Sequence, residues 1–185
     1  MKLSLSLAFI FAICIHSISV AQSANPRAVT EEDSIRIEMT IVNEIEQIED
    51  SLRSLDRFYI DEEFIEFTAD TFAIEQRRKM RMEINWSTAG MNNATYEAER
   101  EYDRLLNKYY QRLMNKLEPE DREVLRQSQR NWIVFRDSEH EVNQILTDWQ
   151  YSGGGTIQTT ISAGYYLEIT QRRVIELYRY LGHMM

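Results

Sequence analysis

The chemistry open to this chain rests on three histidines, thirty carboxylates and one cysteine. His140 follows Asp137 by three residues, which puts imidazole and carboxylate on one helical face, where a metal could be held. A di-iron bundle needs Glu-x-x-His twice plus two further carboxylates at matching depth, and no second such pair exists. His16 and His183 stand near the two ends of the chain. There is no His-Glu-x-x-His, no cysteine pair and no Gly-x-Ser-x-Gly elbow. Two carboxylates at the right separation suffice for a glycosidase. In a chain this acidic, candidate pairs arise everywhere, and runs of Glu and Asp on helices read as solvated faces. Ser152-Gly153-Gly154-Gly155 reads as a hinge rather than a phosphate loop, since no Gly-Lys-Ser or Gly-Lys-Thr follows and no strand precedes it. The residues assign no catalytic, cofactor-binding or metal position, and point to non-enzymatic binding.

The elements that would position such a binding surface are helices. Six glycines and two prolines are too few for a turn-rich β protein, and the Glu-, Arg-, Leu- and Ile-rich runs favour helix. Residues 1–21 read as a secretory signal peptide: Lys2, the apolar run Leu3 to Ile15, and Ser19-Val20-Ala21 before Gln22. The run is too short for a membrane span, so no span is expected once it is removed. Cys14 leaves with it, and the exported chain has no disulfide. Residues 22–86 read as an acidic helical extension with an irregular connector. Its long helix, residues 31–59, carries a stripe at Ile41, Ile45, Ile48, Leu52 and Leu55, either a bundle face or a seam for a second copy. Asp61-Glu62-Glu63 could begin a short helix carrying Phe64, Phe67 and Phe72, but Met80, Met82, Ile84 and Trp86 alternate with polar residues, so residues 61–86 read as extended or irregular. The basic run Arg77-Arg78-Lys79 and Arg81 reads as a solvated patch answering the acidic helix, and a pI near 4.9 argues against nucleic acid.

Residues 87–181 read as three long helices. The first carries Met91, Thr95, Ala98, Tyr102, Leu105, Tyr109 and Leu113 on one face. The second carries Leu125, Ser128, Trp132, Phe135, Glu139, Val142, Leu146 and Trp149, and Glu118-Pro119-Glu120-Asp121 marks the corner between them. Two stripes across a short joint predict an antiparallel hairpin with Trp132 in its seam. The last helix presents Ala163, Leu167, Thr170, Val174, Leu177 and Leu181. The fold expected is all-α: an antiparallel bundle of three long helices with an additional long N-terminal acidic helix.

Asp103-x-x-Leu106-Asn107-x-x-Tyr110, then Gln129-x-x-Trp132 and Arg136-Asp137, then Gly154-Gly155-Thr156-Ile157 and Arg173, stand in an order and spacing that resembles the LprI-type lysozyme-inhibitor domain. The resemblance covers residues 82–181 and implies a small exported bacterial binding protein. It nominates lysozyme, or another basic envelope protein, as partner. The signature residues read as structural, with Asp137 in reach of Arg173. The resemblance also implies that Met82, Ala94, His140 and Tyr165 stand where the family has cysteines. If His140 and Tyr165 replace a bonded pair, their side chains are expected to be neighbours, and Met82 and Ala94 likewise. The rival reading is a helical assembly module of the envelope that pairs through residues 31–59.

Overall fold

A computed structural model describes residues 25–55 and 60–182. The expected signal peptide, with Cys14 and His16, lies outside the described residues, as do His183 and the end of the helix expected over 31–59. The fold is all-α: α1 (Glu31–Arg53), α2 (Glu62–Ile84), α3 (Thr88–Lys116), α4 (Pro119–Thr147), the one-turn α5 (Trp149–Ser152) and α6 (Ile157–Gly182). Among the described residues there is no strand.

The helix starts are chemically marked. Thr30 caps α1 in a capping box with Asp33. The Asp61 carboxylate accepts from the Phe64 N–H at 2.7 Å, and Ser87 Oγ from the Gly90 N–H at 3.1 Å. α4 begins on Pro119, whose missing N–H costs nothing there.

The region expected to be irregular is helical. Ile65, Ala69, Ile74, Met80 and Ile84 of α2 are buried, whereas Trp86 is exposed. Met80 and Ile84 are therefore one turn apart on a helical face, and the apparent alternation was that face sampled over too few residues. α1 lies antiparallel on α2, burying Ile37, Ile41, Ile48 and Leu52. Its seam is filled by α2, and Leu55 is exposed beyond the helix end.

α3 is the central helix. It runs antiparallel to α2, with Arg112 on Glu66, Lys108 on Asp70, Arg77 on Glu101 and Arg81 on Glu97. It runs parallel to α6, with which it shares most of the core: Ala98, Tyr102, Leu105, Leu106, Tyr109 and Leu113 meet Leu167, Val174, Leu177 and Leu181. Phe67 of α2 stacks on Tyr178 of α6 at 3.9 Å and meets the Tyr109 ring edge-on at 5.5 Å, joining three helices in one aromatic cluster.

The hairpin seam expected between α3 and α4 is replaced by a different packing. The α3 stripe faces α6 and α2, and α4 lies mainly on α6. Of the expected α4 stripe only Leu125 is buried and Trp132 half-buried; Phe135, Val142, Leu146 and Trp149 are exposed. The face of α4 that does turn inward carries Leu125, Gln129, Trp132, Arg136 and Asn143. It is too polar to be chosen by hydrophobicity.

Candidate functional site

Several signature residues meet at the junction of α3, α4 and α6. Arg173, 4% exposed on α6, is the hub. Its Nε donates to Gln129 Oε1 at 3.0 Å, one Nη to Ser128 Oγ at 3.2 Å, and the other to Glu176 Oε2 at 2.9 Å. A buried guanidinium is tolerable only when its donors are used, and here they are divided between α4 and its own helix. Trp132 lies between two cations, with the guanidinium carbon of Arg173 5.9 Å and that of Arg136 5.3 Å from its ring. Arg136 donates twice to Asp137, at 2.8 and 2.9 Å, and reaches Asp103 of α3 at 4.0 Å.

Asp137 therefore pairs with its neighbour Arg136, not with Arg173. Arg173 instead reaches α4 two turns nearer its N-terminus, at Gln129. Leu106 is core and Tyr110 packs against it. Asn107 is exposed and donates to the Asp103 carbonyl at 3.0 Å, within its own helix. Of the signature residues, Gln129 and Trp132 of α4 meet Arg173 of α6.

Two turns along, the same helix pair is held by residues that sequence reading missed. Ser162 Oγ donates to Asn143 Oδ1 at 2.6 Å in a buried contact. Gln129, Arg136 and Asn143 are spaced by seven, which puts them on one face, so the signal was present in the sequence. His140 and Tyr165 are not stacked on each other. His140 lies against Tyr166 with centroids 4.0 Å apart, and the Tyr165 hydroxyl donates to Glu139 at 2.5 Å. Each residue engages the neighbour of its expected partner. Burial holds the His140 imidazole below its ordinary pKa, with Arg136 adding to the effect. Its Nε2 is buried without a hydrogen-bond partner. Met82 is half-buried on α2, its sulfur 4.0 Å from an Arg78 nitrogen, and Ala94 is buried on the facing stretch of α3.

Charge elsewhere is largely consumed in pairs. The Arg77 guanidinium bridges Glu38 of α1 and Glu101 of α3, and Lys108 reaches Glu66 and Asp70. The basic run therefore answers the acidic helices from within the fold. A groove of about 290 Å³ between α2 and α3 is lined by Asp70, Arg77, Glu101 and Lys108 of these pairs, together with Arg104 and the apolar Ile74 and Leu105. Arg112 and Lys108 hold Glu66 down at about 2. Burial raises Glu99, which accepts from Thr170 Oγ1 at 3.3 Å. No group of three His, Cys, Asp or Glu side chains among the described residues could hold a metal, and none of the described helices is long and apolar enough to cross a membrane.

The molecule offers to solvent its acidic surface, the apolar side chains Ile35, Met39 and Val42 of α1, and the outer face of α4. Val134 is 67% exposed and Trp149 75%, with Phe135, Val142, Ile145 and Leu146 also open. Gly154 seats the Trp149 ring from below: its φ is +78°, and a Cβ there would stand 2.1 Å from the ring. That surface suits a macromolecular partner better than a small substrate.

Comparison with known proteins agrees. No curated protein and no solved structure matched the chain. A family model described as "Lysozyme inhibitor LprI" matches residues 81–177, from the end of α2 through most of α6. That is just over half of the sequence, and the chain belongs to the LprI lysozyme-inhibitor family.

Proposed function

We propose that this protein is an exported, non-enzymatic inhibitor that binds a basic envelope-active enzyme of the lysozyme type, acting in the periplasm or after secretion. The observation that carries the reading is the family match over residues 81–177, which takes in the whole Arg173–Gln129–Trp132 junction. The charge supports it. The sequence carries −9, and loss of Lys2 with the leader makes it −10. Glu31 to Glu66 alone holds thirteen acids against three arginines. Such a field attracts a basic protein and orients its approach.

The test is an inhibition assay against a panel of lysozymes of different structural types, paired with direct binding by calorimetry. Saturable inhibition of at least one type at stoichiometric protein is expected. Neither binding nor inhibition across the panel would overturn the assignment.

A further inference from the structure

α1 has two faces, and its packing explains only one of them. Ile37, Ile41, Ile48 and Leu52 are buried, chiefly against α2. On the other side Ile35, Met39 and Val42, spaced by four and three, are each more than half exposed. Glu31, Glu32, Glu46 and Asp50 share their arc of about 100°, two acids at each end of the apolar trio. All four are exposed, and none forms an ion pair among the described residues. Glu49 and Arg53 lie in the same arc and bind each other at 3.1 Å, while Arg36 at its edge pairs with Asp33, as does Arg27. Over its length α1 holds eight acids against two arginines. The outer face of α4 is more apolar, but that helix is of mixed sign, with six acids and four arginines. An apolar centre with charged ends is the layout of a protein interface, and on α1 those ends have one sign.

We infer that this face of α1 is a docking surface for a basic protein, with the trio against an apolar patch of the partner and the acids against its cations. The inference rests on the function proposed above and deepens it, because it names a contact surface outside the matched residues 81–177. Charge selects the occupant. A second copy laid on this face in parallel would set Glu31 and Glu32 on themselves. Laid antiparallel, it would set them on Glu46 and Asp50. Acid meets acid either way, which opposes pairing. Nucleic acid and an anionic lipid surface meet the same repulsion. A protein rich in Lys and Arg meets none. The apolar trio decides that the face makes contact as well as attracting. Four acids alone would draw a cation toward the helix without seating it, whereas exposed aliphatic side chains between them gain only when a surface covers them.

Contact is separated from attraction by removing apolar groups without touching charge. Met39→Ser with Val42→Ser should keep the helical circular dichroism, since both side chains are exposed. With a lysozyme that the unaltered protein inhibits, this variant should associate at an unchanged rate in low salt and dissociate roughly tenfold faster or more. Phe135→Ser with Val142→Ser, an equal loss of exposed apolar surface on α4, should alter neither rate. A benzoylphenylalanine photocross-linker in place of Ile35 should capture the lysozyme. Unchanged dissociation of the α1 variant, or no capture at Ile35, would overturn the inference while leaving the inhibition in place. So would a dimer in sedimentation that the α1 variant dissolves, since the trio would then belong to a second copy. Failure of the unaltered protein to bind or inhibit any lysozyme is a separate result: it would remove the proposed function, and this surface with it.

Discussion

Trp132 sits where two cations converge, and its loss has a definite consequence. Alanine there removes half-buried ring contacts and leaves the Arg173 guanidinium beside a void. Trp132→Ala is expected to cost roughly 2–4 kcal/mol, short of the full value for a buried tryptophan because the ring is partly solvated. Thermal denaturation followed by circular dichroism checks this; an unchanged midpoint would make the ring a surface feature. His140 offers a pH readout from the same helix. Its folded pKa is depressed by burial, so below the unfolded value of about 6.5 the unfolded chain binds the extra proton. Stability contributed by the neutral ring is therefore lost as pH falls below that value. The midpoint difference between pH 7.5 and 5.5 should shrink in His140→Phe, which keeps an aromatic ring against Tyr166 without a titrating group. Equal pH sensitivity in both proteins would show that the ring is not desolvated. Asp33 works in the other sense. Arg27 and the Thr30 cap hold its carboxyl well below the usual range, so its contribution is present above about 3.9 and lost on further acidification. Asp33→Asn should be less stable at neutral pH by about 1–3 kcal/mol and flatter below pH 4.

At the level of elements, the sequence was legible where a helix has one apolar face and illegible where it has two candidates. The expected α6 stripe is buried at all six positions, and α3 behaves almost the same way. A stripe names a face, however, and not the helix that will cover it. The α3 stripe went to α6 and α2, where Phe67, Tyr109 and Tyr178 join three helices in one aromatic cluster. On α4 the structure chose the face with Gln129, Arg136 and Asn143: Gln129 and Asn143 hydrogen-bond to α6, and Arg136 reaches Asp103 of α3. Only the start of α2 was legible, at Asp61 to Glu63, because further along its buried residues are interleaved with the charged groups that pair it to α3. The glycine run was legible as a hinge, yet nothing in it announced a seat for Trp149. Gly153 and Gly154 both have positive φ, but only Gly154 touches the indole. Gly153→Ala should cost about 1 kcal/mol in backbone strain and leave the tryptophan emission spectrum unchanged. Gly154→Ala should cost more and shift emission, since the ring must move. Matching spectra for the two variants would count against the seat.

Across the whole molecule, four half-buried cations are paired between helices, while others such as Arg130 and Arg172 stand exposed among the surplus of anions. Arg77, Arg81, Lys108 and Arg112 all pair with acids across helix interfaces, so they stabilise the fold while doing little to offset the field beyond it. The acidic first helix stands at one edge of the molecule, packed chiefly on α2. An approaching basic enzyme meets that edge as a source of long-range attraction, whichever surface finally binds it. Steering of this kind acts on encounter and is screened over about 10 Å at 0.1 M salt and about 3 Å at 1 M. The association rate with a lysozyme that the protein inhibits should therefore fall roughly tenfold or more from low to high salt, while dissociation changes much less. Glu32→Lys with Glu46→Lys, both on exposed positions of α1, should lower the low-salt rate and leave the high-salt rate alone. Stopped-flow measurement across a salt series decides it. A rate indifferent to salt would remove steering from the account and leave short-range contact as the source of affinity. A salt effect that survives the charge reversals unchanged would move the steering field from α1 to the acidic half of α4.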